Sequence, residues 1–240
     1  MKFKKPNQHG AWAMLIMPFL FGIFAGQFSL YHIPFIIGWF LVFFATDHLL
    51  LYVKQRKKQI GYVKMAGLLA CLAALALLIV VNHQPVLIVF FLIMLPFGYI
   101  NLMFAKNRNE RHVMNDISAV VIFSIAGCIS YFIGKGQMDL QMLKVFIFSF
   151  LYFLGTILYV KTMIREKKNI KYKWLSFSYH LLLVILGFRI HLLLGLAMIP
   201  SFIRAVAFYG KNYKPMKIGI VEIANACFIT LFVAFYFMMK

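Results

Sequence analysis

The sequence predicts an all-α, polytopic membrane bundle of about nine transmembrane helices, with the N-terminus inside and the C-terminus outside. Three observations predict it: an apolar excess with few charges, nine apolar segments of spanning length, and cations that alternate from one connection to the next. Of 240 residues, 63% are apolar and 13% charged, and mean hydropathy is +0.86. A soluble domain carries roughly 45–50% apolar and about 25% charged residues. A soluble domain of this size could not hide the difference, so lipid has to cover it. The excess runs along the whole chain, which reads as a single integral membrane domain over residues 1–240.

A helix crosses the bilayer core with about 20 apolar residues, within a range of roughly 17–25. On that basis helix 1 is Ala11–Phe28, helix 2 Ile33–Val53, helix 3 Met65–Val81 and helix 4 Val86–Ala105. Helix 5 is Asp116–Ile133, helix 6 Val145–Ile164, helix 7 Trp174–Phe188, helix 8 His191–Phe208 and helix 9 Ile218–Met239. Helix 7 is barely long enough, and only Arg189 and Ile190 separate it from helix 8, so the pair reads as a tight hairpin with an interfacial turn. Lys2, Lys4 and Lys5 precede an apolar run, but Asn7-Gln8-His9-Gly10 interrupts it and no A-x-A site follows; the first helix is expected to stay uncleaved.

Counting cations tests this division. With the N-terminus inside, 21 of the 25 Lys and Arg fall on inside connections, and Lys135, Lys144, Arg189 and Lys240 remain outside. One missed span would flip every later loop, so the bias supports the helix count and places the protein in a bacterial cytoplasmic membrane under the positive-inside rule. The same rule accounts for the formal charge of +19 without nucleic acid as a partner. Cys71, Cys128 and Cys227 fall in apolar stretches, form no CxxC pair, and are read as small core residues.

Acids are rarer and more informative. Asp47, Glu110, Asp116, Glu166 and Glu222 all lie at inside ends, and only Asp139 is outside. The positive-inside rule makes no demand on acids. Helix-terminal electrostatics accounts in part for Asp116, as an N-cap or first-turn acid, and for Glu222. It does not cover Glu110 and Glu166, which sit in loops beside Arg111 and Arg165.

Four constellations are candidates for ligand binding. Asn7-Gln8-His9 precedes Gly10 and Trp12, richer in hydrogen-bonding groups than an aromatic-belt anchor requires. The run Arg108-Asn109-Glu110-Arg111, leading to Asn115-Asp116, offers amide and bidentate guanidinium donors to a phosphate or carboxylate, although a solvated basic loop would look the same. At the end of helix 6, Tyr159, Thr162 and Glu166 share one face, and Lys161 and Arg165 another. Lys161 lies within the apolar register, so it must snorkel or face a polar cavity. Arg204, inside helix 8, needs a partner, either Glu222 or a bound anion. Asp47-His48 in helix 2 forms a further polar pair, and Pro18, Pro96, Pro200, Gly22, Gly26, Gly187 and Gly195 mark kinks and close packing.

The opening Lys5-Pro6-Asn7-Gln8-His9-Gly10-Ala11-Trp12-Ala13-Met14, with Arg108-Asn109-Glu110-Arg111 and Asn115-Asp116, resembles the YwiC-like membrane proteins of bacteria. A more distant architectural likeness is to the UbiA-type prenyltransferases, whose polar loops 2–3, 4–5 and 6–7 face the cytoplasm; the stretch from Ala105 to Gly127 resembles their loop 4–5. That likeness implies a diphosphate held through Mg²⁺ by aspartate-rich motifs. Here the corresponding places offer Asp47 and Glu166 among Lys and Arg. Hard cations want several carboxylates, so no cofactor is predicted, and the basic residues are expected to hold an anionic headgroup directly. The sequence thus leads to a protein that binds, and could transfer, an anionic lipid or isoprenoid at a cytoplasmic-facing polar cavity. A small-anion transporter and a non-catalytic partner of a membrane complex are the alternatives.

Overall fold

The computed structural model describes residues 9–55 and 59–239, together with all their side chains except that of His9. The described residues form nine helices and no strand. They are α1 His9–Gly26, α2 His32–Lys54, α3 Ile60–His83, α4 Leu87–Lys106, α5 Val113–Lys135, α6 Leu140–Ile164, α7 Ile170–Ile190, α8 Leu192–Ala207 and α9 Pro215–Met238. Seven are long and apolar enough to cross a membrane; α8 and the described part of α1 are apolar but shorter. The chain is a polytopic helical bundle of the membrane.

Each expected helix is found, with shifted ends, and seven of the nine qualify as spans. α3 begins five residues before Met65, and α7 begins four before Trp174. Helical hydrogen bonding continues past the apolar stretch into polar residues, which hydropathy cannot see. For α7 the extension decides whether it can cross: it reaches 21 residues, about 31 Å at 1.5 Å per residue and enough for the roughly 30 Å core. α8, with 16 residues, spans only about 24 Å.

The α7–α8 joint is tighter than the sequence suggests. His191 alone is both C-cap of α7 and N-cap of α8, and its Nδ1 accepts from the Leu193 N–H at 3.2 Å. Two glycines permit so sharp a reversal: a Cβ on Gly187 would stand 2.8 Å from the Leu194 carbonyl, and one on Gly195 would strike the Phe188 ring.

Helices α1 and α5 form the centre. One apolar cluster joins them to α6, α8 and α9 through Met17, Phe21, Tyr131, Tyr152, Ile229 and Val233. A second joins them to α2, α3 and α4 through Leu15, Phe35, Trp39, Val80, Phe90 and Ile129. Small residues bring the two central helices together, as expected where no hydrophobic drive operates between lipid-immersed helices. A Cβ on Gly22 would lie 2.5 Å from the Gly127 carbonyl, and Ser130 Oγ donates to the Phe19 carbonyl at 2.7 Å.

Alternate connections gather at opposite ends. At one end Lys54 of α2 meets Glu110 of the α4–α5 connection, Asp116 meets Lys161, and Lys167 donates to Asn212 of the α8–α9 connection. At the other, Tyr31 stacks on His83 at 3.7 Å, and His191 packs on Tyr236 at 5.3 Å. There Asp139 caps α6, accepting from Tyr131 Oη and from the Gln141 and Met142 N–H groups. Partial burial by itself would raise the Asp139 pKa; those hydrogen bonds, with one from Gln137, outweigh it and hold the carboxyl below the ordinary aspartate range. The cysteines divide: Cys128 is buried as expected, whereas Cys71 and Cys227 are exposed on outer helix faces, because lipid lets an apolar side chain point outward without cost.

Candidate functional site

At 100° per residue, Tyr152, Thr156 and Tyr159 of α6 fall within about 60° of one another, while Lys161 and Arg165 lie on the opposite side of the helix. α6 is therefore a wall between two polar clusters, one against α5 and one against α8 and α9.

The first cluster opens at the cation-rich end. Lys161 is only 5% exposed. Its Nζ lies 3.0 Å from Asp116 Oδ2 and donates to the Arg111 carbonyl at 2.9 Å. Arg165 Nη1 donates to the same carbonyl at 3.3 Å and lies 4.0 Å from Asp116. A recess of about 510 Å³ is lined by Arg111, Lys161, Ile164, Arg165 and Glu166. Three basic residues thus line one space, with Lys161 and Arg165 both fixed by the Arg111 carbonyl. Glu166 is engaged by Asn169, whose amide donates to it at 2.9 Å.

Asp116 is a first-turn acid rather than the N-cap; the cap of α5 is His112, whose Nδ1 accepts from Met114. Its carboxylate is thereby free to reach across to α6. Glu110, expected beside Arg111, instead holds Lys54 at 3.1 Å and so ties α2 to the α4–α5 connection. Asn115, in the first turn of α5, donates back to the Glu110 carbonyl of the preceding connection at 2.9 Å. Arg108, in a left-handed backbone conformation at φ 52°, and Asn109 are exposed and do not line the recess. Asn7, Gln8 and the His9 side chain lie outside the described residues. Trp12 is set among Phe40, Phe43 and Phe44 of α2.

The second cluster is enclosed. Arg204 and Glu222, each 4% exposed, form an ion pair between α8 and α9. The guanidinium lies over the Tyr159 ring at 4.6 Å, and its Nη2 donates to Thr156 Oγ1 at 3.4 Å. One turn deeper, Asn225 Nδ2 donates to Tyr152 Oη at 3.1 Å and to Ser201 Oγ at 2.9 Å. His180 of α7, 1% exposed, closes the side, its Nε2 near Gly155 of α6. Of the two partners expected for Arg204, the structure supplies Glu222, but neither residue lines the recess. Tyr152, Thr156, Ser201 and Asn225 escape hydropathy because each is an isolated polar residue in an apolar run, and Ser176 and His180 because they sit in the mixed Ser176-Phe177-Ser178-Tyr179-His180 stretch. Their spacing was the available signal: Tyr152, Thr156 and Tyr159 lie at i, i+4 and i+7, and Ser201/Arg204 and Glu222/Asn225 at i and i+3.

The family model for YwiC-like proteins matches residues 6–131, which run from before α1 into α5. The chain belongs to the YwiC-like family. It is 39% identical to the uncharacterised protein YwiC of Bacillus subtilis (strain 168) over 233 residues, 95% of each chain. An uncharacterised protein of Haemophilus influenzae is 34% identical over 237 residues, 98% of this chain and 99% of its own. Both relatives extend through α6–α9, so the two polar clusters lie within the shared length. No solved structure matches, and the expected likeness to UbiA-type prenyltransferases is not shown. Among the described residues, no three of His, Cys, Asp and Glu gather as a metal site.

Proposed function

We propose that this YwiC-like protein binds the anionic headgroup of an amphipathic lipid or isoprenoid in the Arg111–Lys161–Arg165 recess. The cation-rich end would face the cytoplasm and the protein would reside in the bacterial cytoplasmic membrane. The observation that carries the reading is the recess of about 510 Å³ with three cations on its wall. Lys161 and Arg165 are positioned by the Arg111 carbonyl before any ligand arrives, so little ordering is lost on binding. Arg111 and Arg165 present guanidinium forks, suited to phosphate or carboxylate oxygens. Asp116 compensates the buried Lys161 and keeps the site from repelling its own cations. The recess opens where α6 ends, at headgroup depth, so the acyl or prenyl chain can remain in lipid alongside the bundle.

A charge-assisted hydrogen bond contributes about 1.5–3 kcal/mol, roughly ten- to hundredfold in Kd. The test is native mass spectrometry with extraction of co-purified lipids, comparing wild type with Arg111→Ala/Arg165→Ala. Enrichment of an anionic lipid that falls at least tenfold in the variant supports the reading. A wild type with no enriched anionic lipid, or a variant that retains it, overturns it.

A further inference from the structure

The enclosed cluster contains more polar capacity than its members use. The Arg204 and Glu222 pair consumes one side of each group, Thr156 takes Arg204 Nη2, and Asn225 Nδ2 serves Tyr152 and Ser201. His180 Nδ1 lies 2.7 Å from the Ser176 carbonyl, which can only accept, so Nδ1 carries the proton and Nε2 presents a lone pair. Apart from the ion-paired Arg204 Nη1 and Glu222 Oε1, five atoms of this cluster then find no hydrogen-bond partner among the described residues: His180 Nε2, Tyr159 Oη, Arg204 Nε, Glu222 Oε2 and Asn225 Oδ1. Every one belongs to a side chain at most 6% exposed. Buried polar atoms are nearly always satisfied by protein or ordered water. Five failing together across four helices is not the signature of a fortuitous core contact.

Their character limits what can satisfy them. Acceptors and donors are both present, and the formal charges of Arg204 and Glu222 cancel. An incoming anion would meet the Glu222 carboxylate, and a cation would meet the guanidinium. The group that fits is neutral and both donates and accepts. Depth limits it further. Asn225 lies ten residues beyond Pro215 in α9, about 15 Å along the helix and half of a roughly 30 Å core. Past it the buried positions turn apolar, with Ile229 and Val233 against Phe153, Leu194 and Ala197. The polar track starts near the cation-rich end and stops at mid-depth.

We propose that the enclosed α6–α9 cluster is a second site, separate from the headgroup recess, that binds neutral O–H or N–H groups, water or the end of a small polar solute, at the centre of the bilayer. Hydroxyl-radical footprinting by X-ray radiolysis tests it, because bound water generates radicals in place. In wild-type protein in nanodiscs, Tyr159 and His180, corrected for intrinsic reactivity, are expected to be modified several-fold faster than Phe21 and Phe35, which are equally buried but in apolar surroundings. Asn225→Leu is expected to bring Tyr159 down to the rate of those controls. Urea, a slow radical scavenger, is the amide probe, used below its denaturing range. Protection of Tyr159 by urea assigns the site to solute, and labelling unchanged by urea assigns it to water. Tyr159 and His180 modified no faster than Phe21 and Phe35 in the wild type overturns the proposal. Arg111→Ala/Arg165→Ala leaves this footprint unchanged, so the two sites fail or stand independently.

Discussion

Replacing Arg204 and Glu222 by methionine, singly and together, should give strongly unequal results. The pair is nearly inaccessible, 4% exposed on both sides, and removing one partner from such a pair typically costs about 3–5 kcal/mol. The two single variants have different escapes. In Arg204→Met the stranded carboxyl can take up a proton; for a glutamate of ordinary acidity, 2.7 pH units at 1.36 kcal/mol each set that cost at about 3.7 kcal/mol at pH 7. The penalty should therefore shrink as pH is lowered toward 5. In Glu222→Met the guanidinium cannot deprotonate. It keeps only Thr156 and the face of Tyr159, and a desolvated cation–π contact returns about 2 kcal/mol. Its penalty should be independent of pH between 5 and 8. The double variant removes both charges and should lie within about 1–2 kcal/mol of wild type. Thermal or SDS unfolding in detergent at pH 5 and pH 7 measures all four corners. Single variants as stable as wild type, or a double variant as damaged as the two singles combined, would refute a buried, mutually compensating pair.

Three further outcomes follow from the packing and the charge distribution. Gly22→Ala places a methyl 2.5 Å from the Gly127 carbonyl and from Ser130 Cβ; neither can rotate away, so the α1–α5 crossing should lose about 1–3 kcal/mol in the same unfolding assay. Asp139, whose carboxyl is held below its ordinary range in the folded chain, should contribute stability that is full above the unfolded value near pH 3.9 and lost as pH falls through the folded one. Asp139→Asn should keep the α6 cap and flatten that acid limb. Reporter fusions after Met239 should read outside and fusions in the α6–α7 connection inside; both on one side would contradict an odd number of crossings.

The α1–α5 half of the molecule illustrates how far hydropathy reaches. All five helices are visible as apolar runs, yet hydropathy does not mark α5 as central and α3 as peripheral. Small residues on α5 (Ser118, Ser124, Gly127 and Ser130) were the available clue, since they let backbones approach where aliphatic side chains would hold them apart. The recess followed the same pattern. Basic residues at the ends of helices 4 and 6 were plain in the sequence, but Lys161 turning toward Asp116 depends on how α5 and α6 cross, and that angle is not written in either segment. Arg108 and Asn109 show the converse, resembling Arg111 in sequence but lying outside the recess because the chain turns at Arg108.

By itself the sequence determined that the chain is membrane-embedded, how many helices it forms and which ends carry its charge. Those properties come from the transfer of each segment between water and lipid, a sum over neighbouring residues that needs no partner. Only the tertiary structure decided that α6 separates two polar clusters, that Arg204 turns to Glu222, and that Asn225, Tyr152 and Ser201 meet. Those depend on which face of each helix meets which neighbour, and in lipid that choice rests on close packing and polar pairing between segments distant in the chain.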